Sequence, residues 1–241
     1  MRIAVFADIH GNLPALDAVL VDLRGAQVDQ MVCLGDVAAI GPQPHEVTVR
    51  VRDCGCPVVL GNTDAASLCP FRVSPADEEG RRYAEVEAWG TAQLTSEDLT
   101  YFRTFQPTIT MPLGDGAHLL CFHGSPRSNT DSLVATTPDP ALARLLGGYG
   151  AAVLAGGHTH APFIRRFGQA LFFNPGSIGL PYVTTAEGIR HPPWAEYAVV
   201  EWRDGILSID LRRVPIDAEA LEQAVLQCGM PHAEWLASSW R

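Results

Sequence analysis

Apolar residues in this chain come in two rhythms. Short, almost wholly apolar runs (Ile3 to Ala7, Met31 to Leu34, Val58 to Leu60) alternate with stretches where apolar positions recur at every third or fourth residue. Unbroken apolar runs of this length suit strands buried on both faces, and the longer recurrence suits helices with one buried face. Leu13, Leu16, Leu20 and Leu23 form one such face, with Pro14 in the first turn and Gly25 as a stop. A second helix is predicted from about Pro44, with Val47, Val51 and Cys54 aligned and Gly55 just past its end. Strand, helix, strand, helix, strand at this spacing predicts a parallel sheet assembled from βαβ units.

Residues 65 to about 106 interrupt that rhythm. Two helices are predicted there, Asp77 to Gly90 and Ser96 to Phe105, the second with Ser96 as N-cap ahead of Glu97 and Asp98. The stretch reads as a helical insertion flanking a site, with Trp89, Leu94, Tyr101 and Phe105 as its packing residues. From Thr108 the pattern turns to hairpins: Ile109 to Met111 and His118 to Phe122 about Gly114-Asp115-Gly116, then Phe163 to Phe167 and Ala170 to Phe173 about Gly168-Gln169. Glu196 to Trp202 and Ile206 to Leu211 pair about Asp204-Gly205, and Asp217 caps a last helix with Leu221, Val225 and Cys228 on one side. A short helix over Asp139 to Leu146 and an apolar run over Ala151 to Ala155 lie between. A single domain over 1–241 is expected, with the insertion at about 65–106.

Composition narrows the function classes. Acidic residues outnumber basic ones, 27 to 17, so the chain has no basic face for a polymeric nucleic acid, although a short phosphorylated ligand could still bind beside cations. No apolar run approaches the ~18 residues of a membrane span, and Asp8 breaks the first run too early for a signal peptide. The scattered cysteines read as free thiols of a reducing compartment, with Cys54-Gly55-Cys56 a weak candidate for a redox or metal pair. A cytoplasmic location without membrane attachment is expected; oligomeric state is not legible.

The chemistry lies where the apolar runs stop. Five of them end in a polar group able to bind metal: Asp8 with His10, Asp36, Asn62, His123, and His158 with His160. Alternate residues of an extended segment face the same side, so Asp8 and His10 are expected to point at one place. In open α/β sheets ligands gather beyond the carboxyl ends of the strands, which would bring all of these together. Two carboxylates, four imidazoles and an amide, with no thiolate, suit Mn, Fe, Zn, Co or Mg. Seven donors exceed one tetrahedral centre but suit two ions sharing a carboxylate, a device for displacement at phosphorus.

The ordered series D-x-H, G-D, G-N, H-G and G-H-x-H, running from Asp8 to His160, resembles the calcineurin-like metallophosphoesterase family. The resemblance implies a four-layer α/β/β/α sandwich, two packed mixed sheets flanked by helices. It implies that Asp8, His10 and His160 hold one divalent ion, that Asn62, His123 and His158 hold the other, and that Asp36 bridges them. Manganese heads the expected metals, with Fe, Zn, Co, Ni or Mg as alternatives, and Asp36, Asn62 and His123 are the expected catalytic members. Asn174-Pro175-Gly176-Ser177 and the short length further resemble the small bacterial and archaeal phosphodiesterases, a group whose relatives include a retromer sorting subunit that acts as a scaffold. The implied activity is phosphoester hydrolysis by a metal-bridging hydroxide, on a small phosphorylated substrate. A phosphodiesterase is preferred over a protein or nucleotide phosphatase, a dinucleoside polyphosphate hydrolase or a non-catalytic scaffold. Many members carry G-N-H-[DE] where this chain has Gly61-Asn62-Thr63-Asp64, so the leaving-group acid must be absent or come from elsewhere. His191 and His45 are candidates, and Arg127 is a candidate phosphate partner.

Overall fold

The computed structural model describes residues 1–69, 77–186 and 188–240. In chain order, β1 (Arg2–Phe6), α1 (Leu13–Gly25), β2 (Gln30–Cys33), α2 (Pro44–Asp53), α3 (Asn62–Leu68), α4 (Glu78–Ala92) and α5 (Ser96–Phe102) make the first half. The second half has β3 (Thr108–Gly114), β4 (Ala117–Phe122), α6 (Asp139–Leu146), β5 (Val153–Ala155), β6 (Phe163–Phe167) and β7 (Ala170–Asn174). It continues with β8 (Val183–Thr185), β9 (Gly188–Arg190), β10 (Trp194–Arg203), β11 (Ile206–Pro215), α7 (Ala218–Gln227) and α8 (Ala233–Ser238).

One sheet has the order β11-β10-β1-β2 and the other β3-β4-β5-β7-β6; β8 and β9 pair separately as a small ribbon. In the first sheet β1 runs parallel to β2 and antiparallel to β10. In the second, β4, β5 and β7 run parallel, with the antiparallel β3 and β6 at the edges. The predicted third parallel strand is reduced to single bridges from Val58 to Cys33 and from Val59 to Gln106.

Period-two alternation explains why the strands read as continuously apolar. Ile3, Val5 and Val32 meet Leu119, Cys121, Val153 and Phe173 between the sheets. The intervening Ala4, Phe6 and Cys33 turn outward onto Leu16, Val19, Val47 and Val51 of α1 and α2. On the other side Leu120, Phe122, Leu154 and Phe172 bury Leu142 and Leu146 of α6. Each such side chain contributes about 1.5–3 kcal/mol on leaving water, so both faces of both sheets reward the same four-layer arrangement. The two packed mixed sheets flanked by helices are the α/β/β/α sandwich expected from the sequence.

Local differences have local causes. Thr95, not Ser96, caps α5: its hydroxyl accepts from Asp98 N (3.2 Å) while the Asp98 carboxylate accepts from Thr95 N (2.8 Å), a reciprocal capping box. The helical region at about 65–106 holds the end of α3 together with α4 and α5, and residues 70–76 of it lie outside the described residues. α3, α8 and the β8–β9 ribbon are too short to carry a readable period. All six cysteines are free thiols, Cys54 and Cys56 included, and burial pushes Cys56 up to about 12. Among the described residues no helix is long and apolar enough to cross a membrane.

Candidate metal centre

The candidate residues sit on loops beyond the strand ends, and those loops are twisted rather than extended. Asp8 (φ 57°), His10 (47°), Asp36 (53°), His158 (68°) and His160 (53°) are all left-handed. The extended geometry expected for Asp8 and His10 is therefore wrong: β1 ends at Phe6 and the chain coils around its own donors. A side-chain-bearing residue held there costs about 1–3 kcal/mol, so the surroundings must hold it in place. They do so mainly through backbone bonds. Asp8 N donates to Gly35 O (3.0 Å), and Ile9 N and His10 N both donate to Asp36 O (2.9 and 3.0 Å), tying the first loop to the second.

Further braces come from residues outside the donor set. Ser177 Oγ donates to Asp8 O (2.8 Å) and accepts from Leu180 N (2.8 Å), while Gly179 N also reaches Asp8 O (2.9 Å). Asn174 Nδ2 donates to Gly157 O (2.8 Å) beside His158. The Asn174-Pro175-Gly176-Ser177 segment thus acts as scaffolding for the two histidine and aspartate loops. Asp64 collects three amides, from Asp36 (2.8 Å), Val37 (2.9 Å) and Gly61 (3.1 Å). Burial and the neighbouring Asp36 charge push its carboxyl up to about 7. Its place three residues after Gly61 was the available signal for this role, the third position of a helix start.

The structure brings all seven predicted side chains together. His10 Nε2 and His160 Nε2 lie 3.1 Å apart. His123 Nε2 lies 3.4 Å from Asp36 Oδ2 and 3.9 Å from Asp8 Oδ1, and His160 Nε2 lies 3.5 Å from Asp8 Oδ1. Two triads emerge, Asp8 with His10 and His160, and Asp36 with His123 and His158, each with donor atoms within 4.8 Å of one another. Asp36 also reaches the first triad, its Oδ2 lying 3.7 Å from His10 Nε2. The rings of His123 and His160 are anchored through Nδ1 to Leu34 O (2.8 Å) and Leu180 O (2.9 Å), which leaves each Nε2 facing the cluster.

The inner tip of the Asn62 amide tests whether this cluster fits metal. It lies 2.9 Å from His123 Nε2, 2.8 Å from His158 Nδ1 and 3.3 Å from Asp36 Oδ2. With its oxygen inward, a proton on His123 or a cation must lie among these atoms, and turned over its NH2 would donate to the same three partners; carboxylate, imidazole and amide donors gathered in this way fit a divalent ion. The electrostatics agree. Although burial opposes ionisation, the facing imidazoles hold Asp8 and Asp36 below the ordinary carboxylate range. Burial likewise opposes protonation of His123, but the charge and hydrogen bond of Asp36 outweigh it and raise the ring to about 10. His160 rises on Asp8, whereas burial drives His10 down to about 4 and lowers His158. Two buried carboxylates thus stay ionised and draw positive charge to their midst.

The remaining candidates fall in different places. Thr63 is buried, its N donating to Asp36 Oδ1 (2.9 Å) and its hydroxyl without a partner. His45 pairs through Nδ1 with Asp98 (2.7 Å), a brace between α2 and α5 rather than a reacting group. His191 is buried, hydrogen-bonded through Nδ1 to Pro181 O (2.7 Å) and stacked on Trp240. Arg127 is exposed on the loop after His123.

A model of the calcineurin-like phosphoesterase superfamily domain matches residues 1–205, and the chain belongs to that metal-dependent superfamily. MJ0912 of Methanocaldococcus jannaschii, itself uncharacterised, is 28% identical over 97% of this chain and 95% of its own length. The phosphodiesterase YfcE of Escherichia coli is 26% identical over 75% of this chain and 81% of its own. Among solved structures, a metallophosphoesterase from Sphaerobacter thermophilus superposes with a TM-score of 0.75 at 26% identity, covering 99% of this chain and 97% of that one.

Proposed function

We propose that the chain is a two-metal phosphoesterase that prefers phosphodiesters. The observation that carries this reading is the meeting of two largely buried triads through Asp36, with the Asn62 amide turned toward the same point. In this reading Asp8, His10 and His160 hold one ion, Asn62, His123 and His158 the other, and Asp36 is shared. Two such ions would supply Lewis acidity and lower the pKa of bound water. The oxygen donors suit manganese and the imidazoles suit iron or zinc, and manganese is the ion we propose first.

The chain's own groups hold and orient. The Leu34 and Leu180 carbonyls fix which nitrogen His123 and His160 present. Asp64 and Ser177 keep the loops in their left-handed shape. Thr63 stands where many family members carry a histidine and cannot deliver a proton near neutral pH, which favours diesters with acidic leaving alcohols. The likeness to YfcE, a phosphodiesterase by name, supports the same preference.

The test compares bis-p-nitrophenyl phosphate with p-nitrophenyl phosphate in added manganese, alongside metal analysis of the purified chain. Two ions per chain and faster diester turnover are expected. Asp36→Ala and Asn62→Ala should each lose at least ~10²-fold in activity, since even supporting residues behind metal ligands are worth 10–100-fold. Near-normal rates in Asp36→Ala would refute the assignment, and faster monoester hydrolysis would refute the diesterase preference.

A further inference from the structure

His123 and His160 each turn Nε2 to the cluster and anchor Nδ1 on a backbone carbonyl, Leu34 O and Leu180 O. His10 follows only half of that plan. Its Nε2 faces the cluster, 3.1 Å from His160 Nε2 and 3.7 Å from Asp36 Oδ2, but its Nδ1 is buried and meets no partner among the described residues. A neutral imidazole that offers Nε2 to a cation carries its proton on Nδ1, and metal-bound histidines almost always pass that proton to an oxygen. A buried N–H left unmet is rare enough to need an explanation.

The loop packed on His10 holds an orphan of the opposite kind. Gln43 Oε1, an acceptor, is likewise buried and without a partner among the described residues. The two residues belong to segments that lie against each other backbone to backbone. Gln43 N donates to Gly11 O (2.9 Å), and a Cβ on Gly41 would sit 2.1 Å from His10 O. On the other side of this seam Gly11 is left-handed (φ 65°), and a Cβ there would come 3.2 Å from Gly41 O. Glycine on both sides therefore keeps the His10 and Gln43 segments in contact. Helix capping does not account for the Gln43 side chain either: it stands at the N-cap of α2 but makes no capping bond. The two orphans make no direct hydrogen bond, and a buried donor and acceptor placed in this way suit one bridging water.

We propose that Gln43 is a positioning residue for His10, its side-chain oxygen taking the Nδ1 proton through one buried water. The proposal rests on the reading that His10 holds a metal ion, and it names the group that orients that ligand. The bridge fixes the tautomer and the ring angle of His10, so the ion assigned to Asp8, His10 and His160 depends on Gln43. The ion assigned to Asn62, His123 and His158 has its own anchor at Leu34 O.

Gln43→Leu removes the acceptor at similar size, and Gln43→Glu keeps an oxygen in its place. Calorimetric titration with manganese should show two ions per parent chain. In Gln43→Leu one of the two should bind 10–100-fold more weakly, the usual worth of a group behind a metal ligand, whereas Gln43→Glu should stay within about threefold of the parent or bind more tightly. A role in packing alone would instead lower the urea midpoint of metal-free Gln43→Leu and weaken both ions equally, and that result overturns the proposal. So does a Gln43→Leu chain with the parent's affinities, or a Gln43→Glu chain that binds as weakly as Gln43→Leu. If the parent binds no divalent ion, the metal reading fails, and a crystal structure of the metal-free parent decides the bridge alone. An ordered water within about 3.2 Å of both His10 Nδ1 and Gln43 Oε1 supports it, and the lack of one overturns it.

Discussion

At Gly61 two of the metal-centre loops come into close contact, and Gly61→Ala measures how closely they must fit. Its backbone (φ −75°, ψ 172°) is open to any residue, so conformational freedom is not the reason for glycine here. Space is. A Cβ would lie 2.1 Å from Asp36 Oδ1 and 2.3 Å from Asp36 N, and a backbone atom cannot swing aside as a side-chain tip can. Reaching an ordinary contact of 3.4 Å requires the two loops to part by about 1 Å. That displacement pulls Asp64 away from the amides of Gly61 and Asp36 that it now holds at 3.1 and 2.8 Å. Overpacking costs about 1–3 kcal/mol and each of the two weakened hydrogen bonds about 1 kcal/mol, so the loss should be about 3–5 kcal/mol. Because Asp36 itself moves, activity should fall further than stability alone explains, by about 10²-fold for a misplacement of this size. Gly25→Ala is the control: nothing lies within 4 Å of its added carbon, and a helix gains about 0.5–1 kcal/mol from the exchange. Urea midpoints, manganese titration and diester kcat/KM of both variants give the comparison. A Gly61→Ala protein with the parent's midpoint and rate would refute the claim that loop separation sets the position of Asp36.

Three further outcomes follow from separate parts of the structure. Thr63→His places an imidazole at the buried start of α3, where the present hydroxyl has no partner; it should raise kcat/KM about 10–10²-fold for diesters of alkyl alcohols and little for p-nitrophenyl esters. An equal change across leaving groups would contradict a proton-donating role there. Ser177→Ala removes the bond to Asp8 O and the acceptor for Leu180 N, and should cost about 1–3 kcal/mol of stability and 10–100-fold in metal affinity, read by urea melts and metal titration. Burial raises the Asp98 carboxyl, yet His45 and the N–H and hydroxyl of Thr95 outweigh it and hold the group below its ordinary value. A depressed carboxylate contributes stability that is full above its unfolded pKa of about 4 and lost as pH falls through the folded one. The gap in urea midpoint between the parent and Asp98→Asn should therefore be widest near pH 7 and close toward pH 3, and a gap that stays constant would sink the reasoning.

What the sequence reveals and what it hides divide along a physical line. Strands buried on both faces must be apolar at every position, so β1, β2, β4 and β7 announce themselves, and the polar residues that stop them mark the loops where donors collect. Side-chain identity survives translation into three dimensions: Asp8, His10, Asp36, Asn62, His123, His158 and His160 gather in one cluster although the backbone takes a path other than the one expected. The path itself is different. An alternating pattern suggested that Asp8 and His10 point together because the chain is extended, yet the two residues adopt left-handed angles, uncommon for any side-chain-bearing residue although Asp and His take them more readily than most. What holds them there is distant in sequence: Gly35 and Asp36 carbonyls, the Ser177 hydroxyl, the Gly179 amide. Local pattern cannot encode a conformation imposed from 170 residues away, as Ser177 acts on Asp8 across a separation of 169. The same reasoning separates the two histidines weighed as acids. His45 meets Asp98 on a neighbouring helix and is absorbed into a brace, whereas His191 is anchored one carbonyl along from His160. What distinguishes them is the distant group each ring meets, the Asp98 carboxylate for His45 and the Pro181 carbonyl with Trp240 for His191. The donor loops are therefore strained elements held by tertiary hydrogen bonds, and loosening any one brace should first disturb the metal centre and only then the sandwich beneath it.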